Sequence, residues 1–186
     1  MQDLTGNLLV AAADMEDPHF ARTVVLLIRH SPEEGAMGLV LNRPIGISPA
    51  EIFASVSEDL EVPEGVPVCW GGPVQGPLVV MHTQDELADL TVLPGVCIST
   101  QRDQILELLR LDVRPYSFYL GYSGWGKQQL EGECQQGGWH TVAATPELIF
   151  ADPYEMWATA CGMVSWEVMR RDPRLAKNRP SDPSLN

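Results

Sequence analysis

The sequence predicts an α+β domain on a mainly antiparallel or mixed sheet. Three observations carry that expectation. Short apolar runs are joined by tight glycine and proline turns as often as through helices. One run, Val24–Ile28, has no polar residue, as in a strand covered on both faces. Two capping boxes, at Ser48 and Asp152, mark helix starts. A chain of 186 residues fits one domain, set here at 1–171 with 172–186 as a C-terminal extension.

In chain order, Leu8–Ala12 and Val24–His30 read as strands, and Leu39–Asn42 as a third stopped by Arg43-Pro44. Ser48-Pro49-Ala50-Glu51 combines a serine N-cap, proline at the first position and glutamate three residues on, so a helix should run to about Val56. Glu58–Gly65 is an acidic loop. Pro67–Trp70 and Leu78–His82 read as strands joined through Gly71-Gly72-Pro73. Gly95–Ser99 is a strand, followed by an amphipathic helix over Arg102–Leu111 capped by Thr100. Tyr116–Gly121 is a strand, a short helix starts near Gly126, and Trp139–Ala143 is another strand. Asp152-Pro153-Tyr154-Glu155 opens a last helix that reaches about Arg171.

That last helix has two apolar arcs. At 100° per residue, Tyr154, Trp157, Cys161, Val164 and Val168 share one, which should pack on the sheet. Met156, Met163 and Trp166 lie on the other, a candidate interface covered by the chain's own tail or by a second copy. A monomer or a weak homodimer is expected.

Charge excludes one function class. Twelve Lys and Arg stand against 25 acids, for a net −13. Five of the cations, Arg170, Arg171, Arg174, Lys177 and Arg179, fall after position 169; with Asp172 and Asp182 that tail is +3, leaving −16 on the body. Nucleic-acid affinity comes from neutralising phosphates, so direct DNA binding is not expected. No apolar run approaches the roughly 20 residues that span a bilayer. The first residues have no signal-peptide pattern, which makes a cytoplasmic protein the expectation. Cys69, Cys97, Cys134 and Cys161 are dispersed without zinc-ligand spacing and read as reduced, mostly buried thiols, with a single reactive one left open. Neither a metal nor a cofactor is indicated.

His30 and His82 each end a predicted strand, and Asn42-Arg43 ends another. If those ends converge, His30, Asn42, Arg43 and His82 form a polar pocket beside Gly71-Gly72, suited to a small anionic ligand. The alternative is that these side chains pin loops, Asn42 capping a turn and His82 satisfying a carbonyl.

Several segments are distinctive enough to carry a resemblance: Asp17-Pro18-His19-Phe20, Gly35–Pro44 (GAMGLVLNRP), Trp70–Gln75 (WGGPVQ), Gly121–Trp125 (GYSGW) with Leu130-Glu131, and Phe150 with Trp157. The chain resembles the AlgH/YqgE family of bacterial proteins over nearly its whole length. The resemblance implies one α+β domain with a branched, partly barrel-like sheet surrounded by helices. It brings no established catalytic or ligand-binding residues. The family's name comes from a proposed regulatory role in alginate production. Relatives usually have alanine where Ser123 stands and glycine where Gln128 stands.

Gly121-Tyr122-Ser123-Gly124-Trp125 looks like a nucleophile elbow, but its fifth position is tryptophan, and alanine in relatives removes the nucleophile. Gly121, Gly124 and Gly126 also run in the reverse of the dinucleotide-binding order. They read instead as a strand-to-helix turn needing glycine freedom, or as a loop whose free N–H groups hold an anion. Two functions remain. One is a non-enzymatic binding or regulatory protein recognising a small anion or a protein partner. The other is a hydrolase using the pocket around His30, His82 and Arg43. A deep cleft joining either histidine to a nucleophile or carboxylate would favour the second.

Overall fold

Residues 3–53 and 65–171 are described in the structure, a computed structural model of the chain. Nine strands form one sheet: β1 (Asn7–Ala11), β2 (Val24–Ser31), β3 (Gly35–Val40), β4 (Val68–Trp70), β5 (Val74–His82), β6 (Leu90–Leu93), β7 (Val96–Ser99), β8 (Ser117–Trp125) and β9 (Trp139–Ala143). Five α-helices accompany them among the described residues: α1 (Pro49–Phe53), α2 (Arg102–Leu111), α3 (Gln129–Gln135), α4 (Pro146–Ile149) and α5 (Pro153–Arg171). The strand order is β6-β7-β5-β8-β3-β2-β1-β9, and every neighbour on that path is antiparallel. The expected α+β class and the branched, curled sheet are both present.

The branch lies on β8. Its first half pairs with β5 on one edge and, in parallel, with β4 on the other, Val68 opposite Phe118. Its second half turns to β3, with Ser123 opposite Gly38 and Trp125 opposite Ala36. Residues 71–72 fill the junction: Gly71 N–H donates to Leu120 O and Gly71 O accepts from Val40 N–H.

This corrects the reading of residues 121–126 as a turn. The strand continues through Ser123 to Trp125 because β3 and β5 supply partners on both edges. Two glycines there answer to tertiary approach. A β-carbon on Gly121 (φ +74°) would lie 2.6 Å from Gly72 O, and one on Gly71 would lie 2.3 Å from Gly121 O. Gly124 and Gly126 meet nothing closer than 3.7 Å, so neither needs to be glycine for space. Gly126 N–H donates to Gln129 Oε1, which leaves that group to the helix start and not to an anion.

Burial follows the pattern of the strands. Leu8, Val10, Leu26 and Leu39 face α5, while Leu9, Val25, Leu27 and Val40 face a second cluster with Trp125, Leu130 and Trp139. The apolar run of β2 is thus covered on both faces, as its sequence requires. A third cluster packs Ile105, Leu108 and Leu109 of α2 on Phe118.

The capping box at Ser48 and the side-chain cap at Asp152 are formed. Ser48 Oγ accepts from Glu51 N–H while Glu51 Oε2 accepts from Ser48 N–H, and Asp152 accepts from Tyr154 N–H. Thr100 does not cap α2: its N–H and hydroxyl both donate to Asp89, and Gln101 occupies the cap position. The strand β6, which forms a hairpin with β7, and α4, capped by Thr145, are additions to the sequence-based reading. The third strand starts at Gly35 and ends at Val40, before Asn42.

The faces of α5 are corrected. Met156 and Ala160 are fully buried against the sheet, with Met163 and Val164 packed beside them, whereas Tyr154 is 82% and Val168 53% exposed. Met156 and Met163 therefore belong to the core side, and Trp166 is half-buried with interactions of its own. Trp157, Cys161 and Val164 of the first predicted arc do pack on the core as expected; Met156 and Met163 join them because the packed stripe extends into the second arc. The end of the first predicted helix, most of the acidic loop, the basic tail's side chains and the extension 172–186 lie outside the described residues.

Candidate functional site

The loop between β1 and β2 is a compact turn. Phe20 and Ala21 N–H both donate to Asp17 O, and His19 N–H donates to the Asp17 carboxylate. Two side chains expected in a pocket hold this loop in place. Asn42 Oδ1 accepts from Val24 N–H at 2.8 Å, its amide donates to Arg22 O at 2.9 Å, and the Arg43 guanidinium donates to Ala21 O. The backbone of Arg43 in turn accepts from Trp70 N–H.

Segments far apart in sequence meet at this loop. On one side, Pro18 and His19 line a shallow cleft of about 260 Å³ with Arg43, Pro44 and Trp70. The His19 ring stacks on Trp70 with centroids 5.9 Å apart. On the other side, Asp17 and Phe20 line a cleft of about 450 Å³ that also reaches Pro73, Gly124 and Trp125. Residues 17–20 are the ridge between the two.

The larger cleft joins aromatic rings to carboxylates. Phe20 stacks on Trp125 at 6.0 Å and meets Trp139 edge-on at 5.5 Å; the two indoles cross at 80°. Both indole N–H groups donate to one oxygen of Glu133, at 2.9 and 2.8 Å, and Gln129 donates to the other at 2.9 Å. Asp14, Glu16 and Asp17 complete the acidic lining, which contains no lysine, arginine or histidine. Sequence reasoning did not assemble this cleft. The readable signal was the acidic run Asp14, Glu16, Asp17 directly after β1.

The four expected pocket residues do not come together. His30 pairs with Ala36, which pairs with Trp125, while Met81, next to His82, pairs with Ser117. The histidines thus sit beside opposite ends of β8, eight residues or roughly 27 Å apart along the strand. Asn42 and Arg43 lie at the Val24 end of β2, and His30 near its far end. Alternation of polar strand ends gives no information on which ends share a rim; strand order decides that.

Each histidine is sealed in. His82 is fully buried, and its Nδ1 accepts from Gln84 N–H at 3.1 Å. The proton is then on Nε2, which donates to Ser99 Oγ at 2.9 Å, and that hydroxyl donates onward to Leu87 O. A base must accept the hydroxyl proton of its nucleophile, so this polarity is the reverse of an activated serine. Burial, opposed by Asp85 and Asp89, holds the His82 pKa below its usual value. His30 Nδ1 accepts from Leu4 N–H, and Nε2 lies 3.0 Å from the buried carboxylate of Glu131. Neither histidine lines either cleft beside the loop. Contacts of the kind that would favour an enzyme exist, but at histidines buried away from both clefts.

Ser123 is likewise buried, its hydroxyl directed to Gly71 O at 3.3 Å. Burial raises the pKa of all four thiols, that of Cys69 to about 11, and Cys97 additionally donates to Asp85. None is an activated nucleophile. No group of three or more metal-ligating side chains occurs among the described residues, and no helix there is long and apolar enough to cross a membrane.

Comparison with known proteins places this geometry in a family. The AlgH-like family model matches residues 8–169. A UPF0301 protein of Chlorobium limicola is 38% identical over 188 aligned residues, covering 97% of this chain and 95% of the relative. One from Chlorobaculum tepidum is 39% identical with the same coverage. The solution structure of AlgH from Pseudomonas aeruginosa superposes with a TM-score of 0.72 at 30% identity, over 97% of this chain and 96% of that one. The crystal structure of a Corynebacterium diphtheriae protein gives 0.68 at 26% identity, over 93% and 89%.

Proposed function

This chain belongs to the AlgH-like family, and we propose that it is a non-enzymatic cytoplasmic binding protein whose recognition surface is the face around residues 17–20. A regulatory role would be exercised through a ligand or protein partner and not through DNA. One observation carries this reading: the 17–20, 42–44, 70–73 and 124–125 segments converge on two clefts with accessible aromatic and charged groups. By contrast, the groups with catalytic chemistry, His30, His82, Ser99 and Ser123, are buried and mutually satisfied.

Burial of those side chains removes them from any substrate, and their hydrogen-bond polarity supplies no base. The ridge between the clefts is held by Asn42 and Arg43, which gives a fixed surface at little entropic cost on binding. The test is untargeted analysis of small molecules and proteins retained by the purified protein, repeated with Phe20→Ala and Trp70→Ala. Loss of a retained species in either variant, with the melting temperature kept, supports the reading. Turnover of an ester, amide or phosphate substrate that disappears with His82→Gln or His30→Gln overturns it.

A further inference from the structure

We infer that the larger cleft binds an alkylammonium group, brought by a free polyamine or by a lysine side chain; this rests on the recognition surface proposed above.

The charge of the cleft is one-sided. Asp14, Glu16, Asp17 and Glu133 line it, and no cationic side chain does. The two oxygens of Glu133 take three hydrogen bonds, from Trp125, Trp139 and Gln129. All three donors are neutral. They fix the carboxylate in place and bring no positive charge to it. No ion pair to Glu133 is found among the described residues.

The rings select the kind of cation. Phe20, backed by the buried indoles of Trp125 and Trp139, brings an aromatic surface to the same lining, and aromatic faces attract a weakly hydrated organic cation. They offer nothing to a hydrated divalent metal, which needs several convergent oxygens. The Glu133 oxygens are already engaged by indole and amide donors, and no metal-type cluster occurs among the described residues. An anion would face four carboxylates. The volume of about 450 Å³ lies in the range of small-molecule sites, and the net charge of −13 draws cations toward the protein. An alkyl chain against the rings and an ammonium near the carboxylates use both halves of the lining.

The experiment titrates spermidine, Nα-acetyl-lysine-N-methylamide and its neutral Nε-acetylated counterpart into the protein at low ionic strength. Tryptophan fluorescence and calorimetry are the readouts. The expected result is saturable binding of one or both cationic probes, the tighter one identifying the source, and none by the neutral probe. Glu133→Gln should weaken binding about tenfold or more. Because that change also touches two indoles, Asp14→Asn with Asp17→Asn, both exposed, provides a second arm, expected to lose several-fold. No saturable binding up to about 10 mM, equal binding of the neutral probe, or affinity unchanged in both variants would overturn the inference. If the cations fail while another retained species is lost on Phe20→Ala, the alkylammonium assignment fails and the recognition surface stands. If a retained species survives both Phe20→Ala and Trp70→Ala, the surface itself is wrong.

Discussion

Gly72 leaves no room for a side chain on Gly121: a β-carbon there would stand 2.6 Å from the carbonyl oxygen of Gly72. The contact sits where β8 changes partners, and Gly121 has φ +74°. Gly121→Ala therefore combines left-handed strain with a backbone clash and should destabilise by about 2 kcal/mol or more. Gly124, only three residues on, has ordinary space around it and no left-handed φ. Gly124→Ala should change stability by less than about 0.5 kcal/mol. Urea midpoints of the two variants decide the matter; equal losses would refute the distinction.

His82 gives a pH dependence with a definite sign. Burial, ahead of the opposing effects of Asp85 and Asp89, lowers its folded pKa, while the unfolded value is about 6.5. Between those values the unfolded chain holds a proton that the folded one refuses. Stability is then fully present above about pH 6.5 and falls as pH drops toward the folded pKa, by at most about 1.4 kcal/mol per unit. His82→Gln should be less stable at neutral pH but lose less between pH 7 and 5. Parallel pH profiles for the two proteins would remove His82 as the cause.

Local chemistry was legible in the sequence. The Ser48 and Asp152 caps and the two-sided burial of β2 depend on residues a few positions apart, and all are formed. What was not legible depends on strand order. Glycines at 121 and 124 looked alike; the approach of residues 71–72 and the left-handed φ of Gly121 separate them. His30 and His82 both ended predicted strands, but β8 puts its full length between them. The candidate site shows the same division. Asn42 and Arg43 follow β3, which stops at Val40, and Asn42 ties a loop as its alternative reading required. The acidic aromatic cleft needed Phe20, Trp125, Glu133 and Trp139 to converge from four segments, and no spacing encodes that.

On α5, Met156 is 1% exposed and packs with the β1–β3 cluster, whereas Tyr154 is 82% exposed. Met156→Ala should cost about 2–4 kcal/mol through a cavity, and Tyr154→Ala about 0.5 kcal/mol or less. Thermal unfolding of both variants tests the assignment of faces. A larger loss for Tyr154→Ala would restore the sequence-based arc.

The His30–Glu131 pair, 3.0 Å apart with both side chains at least nine-tenths buried, predicts strong non-additivity. Removing the imidazole alone, as in His30→Leu, strands a buried carboxylate and leaves Leu4 N–H without its acceptor, so a loss of about 3–5 kcal/mol is expected. Replacing both partners, His30→Leu with Glu131→Leu, removes the stranded charge and leaves only the Leu4 N–H unpaired. The double variant should then be more stable than His30→Leu by about 1–3 kcal/mol, even though it carries one more substitution. A double variant as unstable as the sum of its single changes would show that the two residues act independently, and the pair would lose its role in tying β2 to α3.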